Sequence, residues 1–295
     1  MRPDHWHRTE DLGRFLDRAG NFLRSRPALH TVPLTVTETL RTRGPHAYGD
    51  LPPVYGTLER DGAVRAAYFQ TPPHPLNLTA LTAGEADSLA AHLEGHRRLV
   101  SGVVADSATA TAFVAAWQAR TGATATLHQR QRLYRLGTLS VPQPVPEGRA
   151  RVADESDRPQ LVKWYGEFTE TVGGHPTREA GSWADARIAY GGVTFWEAPD
   201  GTPVAMAGVT PQIADQVRVA PVYTPAHLRG RGYAGAVTAE VSRAARDAGA
   251  GEVLLFTDLA NPTSNRLYQR IGYRPVTDFA VYDFSDGSSP DHTAR

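Results

Sequence analysis

The clearest chemistry in this sequence lies at Arg229-Gly230-Arg231-Gly232, directly ahead of a helical run that begins at Tyr233. A helix start leaves its first backbone N–H groups unpaired at the positive end of the helix dipole. Ordinary capping needs one Ser, Thr or Asp; here the chain supplies Pro225 and then glycines alternating with arginines. Gly230 and Gly232 allow backbone to come close to an anion, and Arg229 and Arg231 can add charge-assisted bonds to phosphate oxygens. A pyrophosphate fits that chemistry. The same four residues alone would also suit a basic turn with no ligand, so the surrounding elements have to decide.

Those elements support the anion site. Residues 216–224 (QVRVAPVYT) read as a strand interrupted by Pro221, which argues for an edge or a bulge. The helix from about Gly232 to Ala248 stops at Gly249, a left-handed cap position. EVLLFTD (252–258) has the continuous apolar pattern of a strand buried on both faces. NPTSNRLYQRIG (261–272) opens with Asn and Pro and ends on Gly, which signals a short helix. Upstream, Leu161, Trp164, Tyr165 and Phe168 fall at helical spacing within 157–171, and 191–211 reads as a hairpin through Asp200 and Gly201. YRPV and FAVYDF add two strands, giving a mixed α/β sheet.

The first half repeats this order loosely: helix, hairpin through Asp61 and Gly62, helix 82–93, apolar strand 99–106, helix 107–122, strand 130–136. VVADSATATAFVAAWQARTG and LFTDLANPTSNRLYQRIG share a pattern of apolar strand, Asp, small polar residues, helix with an aromatic, then Gly, which reads as a diverged duplication. Where the second half has its basic glycine loop, the first has PPHPLNLTALTAGEAD. Residues 137–149 (GTLSVPQPVPEGR) hold three prolines and two glycines without apolar periodicity and read as a linker. The expected organisation is therefore a domain over 1–138, a Pro-rich linker over 139–149, a second domain over 150–286 and a polar tail over 287–295.

Composition narrows the function. The 31 basic and 31 acidic residues balance, so no global field draws the chain to nucleic acid or an acidic membrane. There is no cysteine, which removes thiolate metal sites and a cysteine nucleophile, and the histidines form no helical metal-binding pair. Neither a signal-peptide pattern nor a run of 18 apolar residues is present, so a cytoplasmic protein is expected. Lys163 is the only lysine, a bias toward arginine that carries no functional reading.

With these elements in place, LRGRGYA, preceded by VAPVYTP and followed by LLFTDLANPTSNRLYQRIGYRPV, resembles the GNAT superfamily of N-acetyltransferases. The family signature is Arg or Gln, two residues, Gly, one residue, then Gly or Ala; Arg229, Gly232 and Ala234 match it, and the resemblance covers roughly 150–285. It implies tandem acetyltransferase folds, each a mixed, mostly antiparallel sheet with flanking helices, and two splayed central strands in the C-terminal copy. It also implies acetyl-coenzyme A as co-substrate and no metal. By matching position, Arg229, Gly230, Arg231, Gly232, Tyr233 and Ala234 would hold the pyrophosphate. Val222, Tyr223 and Thr224 would line the pantetheine as an added strand does.

The family carries an Asn at the start of the last helix and a Tyr seven residues on, matched by Asn261 and Tyr268. The resemblance implies that the Tyr268 phenol protonates the leaving thiolate; the other reading is a tyrosine packed on the sheet. Asn261 reads equally as N-cap or cofactor contact, and Ser264 and Asn265 could reach the cofactor. Asp258 is the nearest base for the attacking amine, or else a cap for the turn after its strand. Glu167 and His175 could sit over the substrate pocket, or be solvated. The first copy lacks both the glycine loop and the tyrosine, so it is expected to be degenerate. The expected activity is acetyl transfer to an amine, most simply of a small molecule, by direct attack in a ternary complex, with a homodimer possible. The alternatives are a non-catalytic acyl-coenzyme A sensor, a longer acyl chain, or a protein N-terminal amine as acceptor.

Overall fold

The computed structural model describes residues 5–96, 100–172 and 179–285. The chain divides into two compact units, Met1–Arg132 with Thr277–Arg295, and Leu133–Val276.

The first unit begins with β1 (His5–Thr9), α1 (Leu12–Arg24) and α2 (Thr31–Arg43), followed by β2 (Val54–Arg60), β3 (Ala63–Gln70) and β4 (Leu76–Leu78). Next come α3 (Ala83–Gly95), β5 (Gly102–Asp106), α4 (Ser107–Thr121) and β6 (Thr124–Leu136). Strands β1 to β4 pair antiparallel in sequence order, and β4 runs parallel to β5. One core of this unit gathers Leu89 and Leu93 of α3, Phe113 and Trp117 of α4, and Trp6, Leu58 and Val103 from the strands.

The second unit takes the end of β6, then β7 (Arg149–Val152), α5 (Arg158–Thr171), α6 (Glu179–Ile188), β8 (Val193–Glu197) and β9 (Pro203–Val209). It continues through β10 (Gln216–Tyr223), α7 (Tyr233–Asp247), β11 (Glu252–Asp258), α8 (Pro262–Ile271) and the start of β12 (Tyr273–Ser285). Strands β7 to β10 pair antiparallel in order, and β10 runs parallel to β11. Two cores cover the two faces of this sheet. One joins Val217, Val219 and Val253 to Val237 and Val241 of α7 and Tyr268 and Ile271 of α8. The other joins Phe195 and Met206 to Leu161 and Trp164 of α5 and Ala184 of α6. The element order after β1 is thus repeated after β7: two helices, an antiparallel hairpin, a third strand, helix, parallel strand, helix.

Several sequence expectations change here. The two strands expected at the C-terminus are one, β12, and its residues Phe279–Asp283 pair antiparallel with β5, so they complete the first unit instead of the domain drawn as 150–286. Conversely, Tyr134 and Leu136 at the end of β6 belong to the second unit's core. Residues 139–149 are not a free linker. They belong to the second unit, with Ser140 N–H donating to Ile271 O at 2.8 Å and Trp196 Nε1 donating to Glu147 O at 3.2 Å. Proline richness reports stiffness and missing periodicity, which a packed segment shares with a tether. The expected tail over 287–295 lies outside the described residues. Helix α2 was not anticipated, because TVPLTVTETLRTR is dense in β-branched residues. The threonine hydroxyls bond back to their own helix: Thr35 to Thr31 O, Thr37 to Pro33 O and Thr39 to Thr35 O.

One ion network ties β7, β8 and the approach to α5. Arg151 donates to both oxygens of Asp157, at 2.7 and 2.9 Å, and to Glu197, which is 4% exposed. Bonding to Arg151 holds the carboxyls of both Asp157 and Glu197 below their ordinary values. A lowered carboxyl contributes stability above the usual carboxylate range, lost as pH falls through the lowered value. Arg151→Ala leaves Glu197 buried with only Arg149 as partner, so urea unfolding at neutral pH should show a loss of about 2–3 kcal/mol. The variant should also show a shallower fall in stability on acidification than the wild type. Equal stability and an equal acid limb would show that the network is dispensable.

Candidate functional site

The site is built around a change of direction in β10. Val219 stands opposite Val209 and Val222 opposite Ala207, so Ala220 and Pro221 together face the single residue Gly208. This is a β-bulge, and it accounts for the proline inside the strand. A Cβ on Gly208 would lie 2.7 Å from Ala220 O, so only glycine lets the bulge close. The extra residue inverts the side-chain alternation. Val217 and Val219 face the α7–α8 core, and so does Val222, whereas Tyr223 faces α5 and α6. Strands β10 and β11 pair only over Gln216–Arg218 and Glu252–Leu254. Beyond that the ladder stops, which leaves the facing edge of Val219–Tyr223 free of β11.

From the end of β10 a short helical turn, Ala226–Leu228, leads to the glycine loop. Gly230 and Gly232 both have positive φ, +78° and +85°, the left-handed region that favours glycine. Gly232 is the N-cap of α7; no side chain caps this helix and no acidic residue lies in its first turn. The N–H groups of Tyr233, Ala234 and Gly235 therefore lack intrahelical acceptors. Arg229 donates through Nε to Thr224 O at 3.1 Å, and Arg231 through Nη2 to His227 O at 3.4 Å. Each arginine thus braces the loop with one nitrogen and keeps other N–H groups for a ligand. Thr224 is 9% exposed, and its Oγ1 is buried with no hydrogen-bond partner among the described residues.

The corresponding helix of the first unit is finished differently. Thr82 caps α3 in a complete capping box: Thr82 Oγ1 accepts from Glu85 N–H, and Glu85 Oε2 accepts from Thr82 N–H at 2.9 Å. A carboxylate thus occupies the place where an anion would bind. Thr109 in the first turn of α4 also accepts from Leu81 N–H at 2.9 Å, stitching α4 to the segment that precedes α3.

On the other side of the gap, Asn261 caps α8 by accepting from Ser264 N–H at 3.0 Å. Asn265 is fully engaged: its Oδ1 accepts from Tyr134 OH at 2.9 Å, and its Nδ2 donates to Asp258 O and Asn261 O, each at 2.8 Å. The Asn265 amide thereby joins β6, β11 and α8. Ser264 enters this arrangement through its backbone. Asp258 Oδ1 accepts from Ala260 N–H at 2.8 Å, the work of a turn cap. Tyr268 is 8% exposed within the α7–α8 core, its ring 6.1 Å from that of Tyr273, and burial pushes its phenol up to about 12. A phenol raised above its ordinary value stays protonated at neutral pH.

The structure pairs Tyr223 with Glu167. The inverted alternation places the Tyr223 hydroxyl 2.7 Å from Glu167 Oε2, as donor, beside Trp164. Burial, then the bond to Glu167, raises Tyr223 to about 12. Glu167 is half-buried, with Lys163 at 4.0 Å from its other oxygen. His175, the other residue considered there, lies outside the described residues. The site thus presents a phenol on the α7–α8 face, a carboxylate on the α5–α6 face and an anion turn at one end of the gap. Among the described residues no cluster of three His, Asp or Glu could hold a metal, and no helix is long and apolar enough to cross a membrane.

The sequence model of the acetyltransferase (GNAT) family matches residues 158–273. No curated protein sequence matches the chain. Among solved structures, a GCN5-related N-acetyltransferase from Sphaerobacter thermophilus is similar over 98% of both chains at 17% identity, TM-score 0.65. A GNAT-family acetyltransferase from Colwellia psychrerythraea aligns with 95% of this chain and 100% of its own at 12% identity, TM-score 0.60. A tandem GNAT protein from the clavulanic acid biosynthesis pathway aligns with 98% of this chain and 100% of its own at 12% identity, TM-score 0.56. These likenesses establish the fold as that of tandem GNAT proteins.

The bulge generates a prediction of its own. Gly208→Ala forces a methyl against Ala220 O and should cost about 1–3 kcal/mol in urea unfolding, while Gly84→Ala, at a position with open space around it, should be nearly silent. Equal effects of the two substitutions would mean that the bulge does not need its glycine.

Proposed function

We propose that the second unit, within which residues 158–273 match the sequence model of the acetyltransferase (GNAT) family, transfers an acyl group, acetyl first of all, from acyl-coenzyme A to an amine arriving on the α5–α6 face. The observation that carries this reading is the bulge at Ala220–Pro221, which frees the end of β10 from β11 next to a helix start with no cap of its own.

Bound acyl-coenzyme A supplies an acyl carbon activated as a thioester. The protein's part divides by face. Unpaired N–H groups of the first turn of α7, with Arg229 and Arg231, hold the diphosphate. The free edge of β10 offers backbone donors and acceptors to the amide-bearing arm, in the manner of an added strand. Glu167, held by the Tyr223 hydroxyl, takes the proton of the attacking amine as the N–C bond forms. Tyr268 holds a proton at neutral pH and gives it to the sulfur as the C–S bond breaks. Glu167 is taken ahead of Asp258 as the base because it lies on α5, on the face where the amine is proposed to arrive, whereas Asp258 caps the turn after β11. The finished cap on α3 supports a first unit without a cofactor site of its own.

Two variants separate binding from chemistry. Gly232→Glu places a carboxylate at the anion turn and a side chain at φ +85°; isothermal calorimetry should show coenzyme A binding abolished at an unchanged far-UV spectrum. Tyr268→Phe should lower kcat about 10²-fold with little change in coenzyme A affinity, read as thiol release in a panel of primary amines. Wild-type affinity in Gly232→Glu would make the loop a simple turn, and wild-type kcat in Tyr268→Phe would remove the phenol from the reaction.

A further inference from the structure

The proline segment between β6 and β7 follows the two helices of the candidate site. Gly137 N–H donates to Gly272 O at 2.9 Å and Ser140 N–H to Ile271 O at 2.8 Å, both at the C-terminal end of α8. A Cβ on Gly235 would lie 3.1 Å from Leu267 Cδ1 and 3.5 Å from Pro142 Cγ, and a Cβ on Gly232 would lie 3.6 Å from Pro146 Cδ. The segment therefore passes from the end of α8, across the meeting of α7 with α8, to the glycine that opens the anion turn. From there Glu147 O accepts from Trp196 Nε1 at the end of β8.

Its side chains sort into two sets. Pro142 and Pro146 are partly buried against the helices. Val141 and Val145 are 45% and 43% exposed, among the few large apolar side chains of the described residues left open to solvent. Three alternating prolines fix φ at their positions, so this apolar strip is ordered in advance and would lose little entropy on binding.

Given the diphosphate reading of the α7 turn, on which this inference rests, a ligand held there has two arms. One enters the gap between β10 and β11; the other leaves the turn, beside which the proline segment lies at Gly232. We propose that residues 141–146 seat the adenosine end of acyl-coenzyme A, with Val141 and Val145 against the adenine ring and Pro146 fixing the segment beside Gly232. The segment is then part of the cofactor site, and its composition reflects a stiff apolar wall instead of a spacer.

The test is calorimetric titration of the full-length protein with coenzyme A and, separately, with 4′-phosphopantetheine, which lacks the adenosine. V141S/V145S changes only exposed side chains, and Pro146→Gly loosens the segment without removing its apolar strip. In V141S/V145S the Kd for coenzyme A should rise about tenfold, with the Kd for 4′-phosphopantetheine and the melting temperature unchanged. Pro146→Gly should weaken coenzyme A in the same selective way. An unchanged coenzyme A affinity, or a parallel loss for both ligands, overturns the seat. If the wild type binds coenzyme A, Gly232→Glu does not, and V141S/V145S binds as the wild type, the seat fails alone. If the wild type does not bind coenzyme A, the acyl-coenzyme A reading fails and the seat falls with it.

Discussion

Everything at this site depends on one extra residue in β10. Ala220 and Pro221 occupy the space that one residue would fill opposite Gly208, and that single insertion does two things. It turns the strand away from β11 after Arg218, leaving backbone unpaired along the gap. It also reverses which face the following side chains take, so Val222 packs toward α7 and α8 while Tyr223 packs toward α5. A regular strand would have kept its ladder and sent Tyr223 to the α7–α8 face. The carboxylate of Glu167 would then have had no phenol to hold it.

The second dependence is on what is missing from a helix start. Capping by a side chain is worth about 1 kcal/mol to a helix, and α3 takes that stabilisation in full from Thr82 and Glu85. Helix α7 forgoes it. Gly232 contributes no side-chain acceptor, and the loop is held by arginines bonded to the carbonyls of Thr224 and His227. The two units repeat one order of elements, so the capping box in one and its absence in the other act as a comparison within a single chain. The closed start stabilises its own helix, and the open start leaves its first N–H groups without a side-chain acceptor.

How much of this the sequence revealed depended on the range of the interactions. Helix α8, strand β11 and the positive φ of Gly230 and Gly232 follow from local signals, since Asn-Pro starts, Gly stops and apolar runs act within a few residues. Pro221 likewise pointed to an edge or a bulge, and the structure makes it a bulge. The direction of Tyr223 could not be read, because it depends on the parity of the bulge and on a carboxylate 56 positions away. The exchange of closing strands was hidden for a similar reason: FAVYDF carries a strand pattern but nothing in it names β5 as its partner. The packing of the proline segment was not legible because its neighbours Gly232 and Gly235 lie about ninety residues downstream and leave no periodic imprint on it.

The most direct test of the account is amide hydrogen exchange of the whole protein with and without coenzyme A, followed by peptide across both units. Slowed exchange over 222–235, with 79–86 unchanged, is the predicted result, because the start of α7 has no side-chain acceptor of its own whereas that of α3 is closed by Thr82 and Glu85. Protection at 79–86, or no protection at 222–235, would contradict the claim that the bulged strand and the uncapped helix of the second unit form the cofactor site.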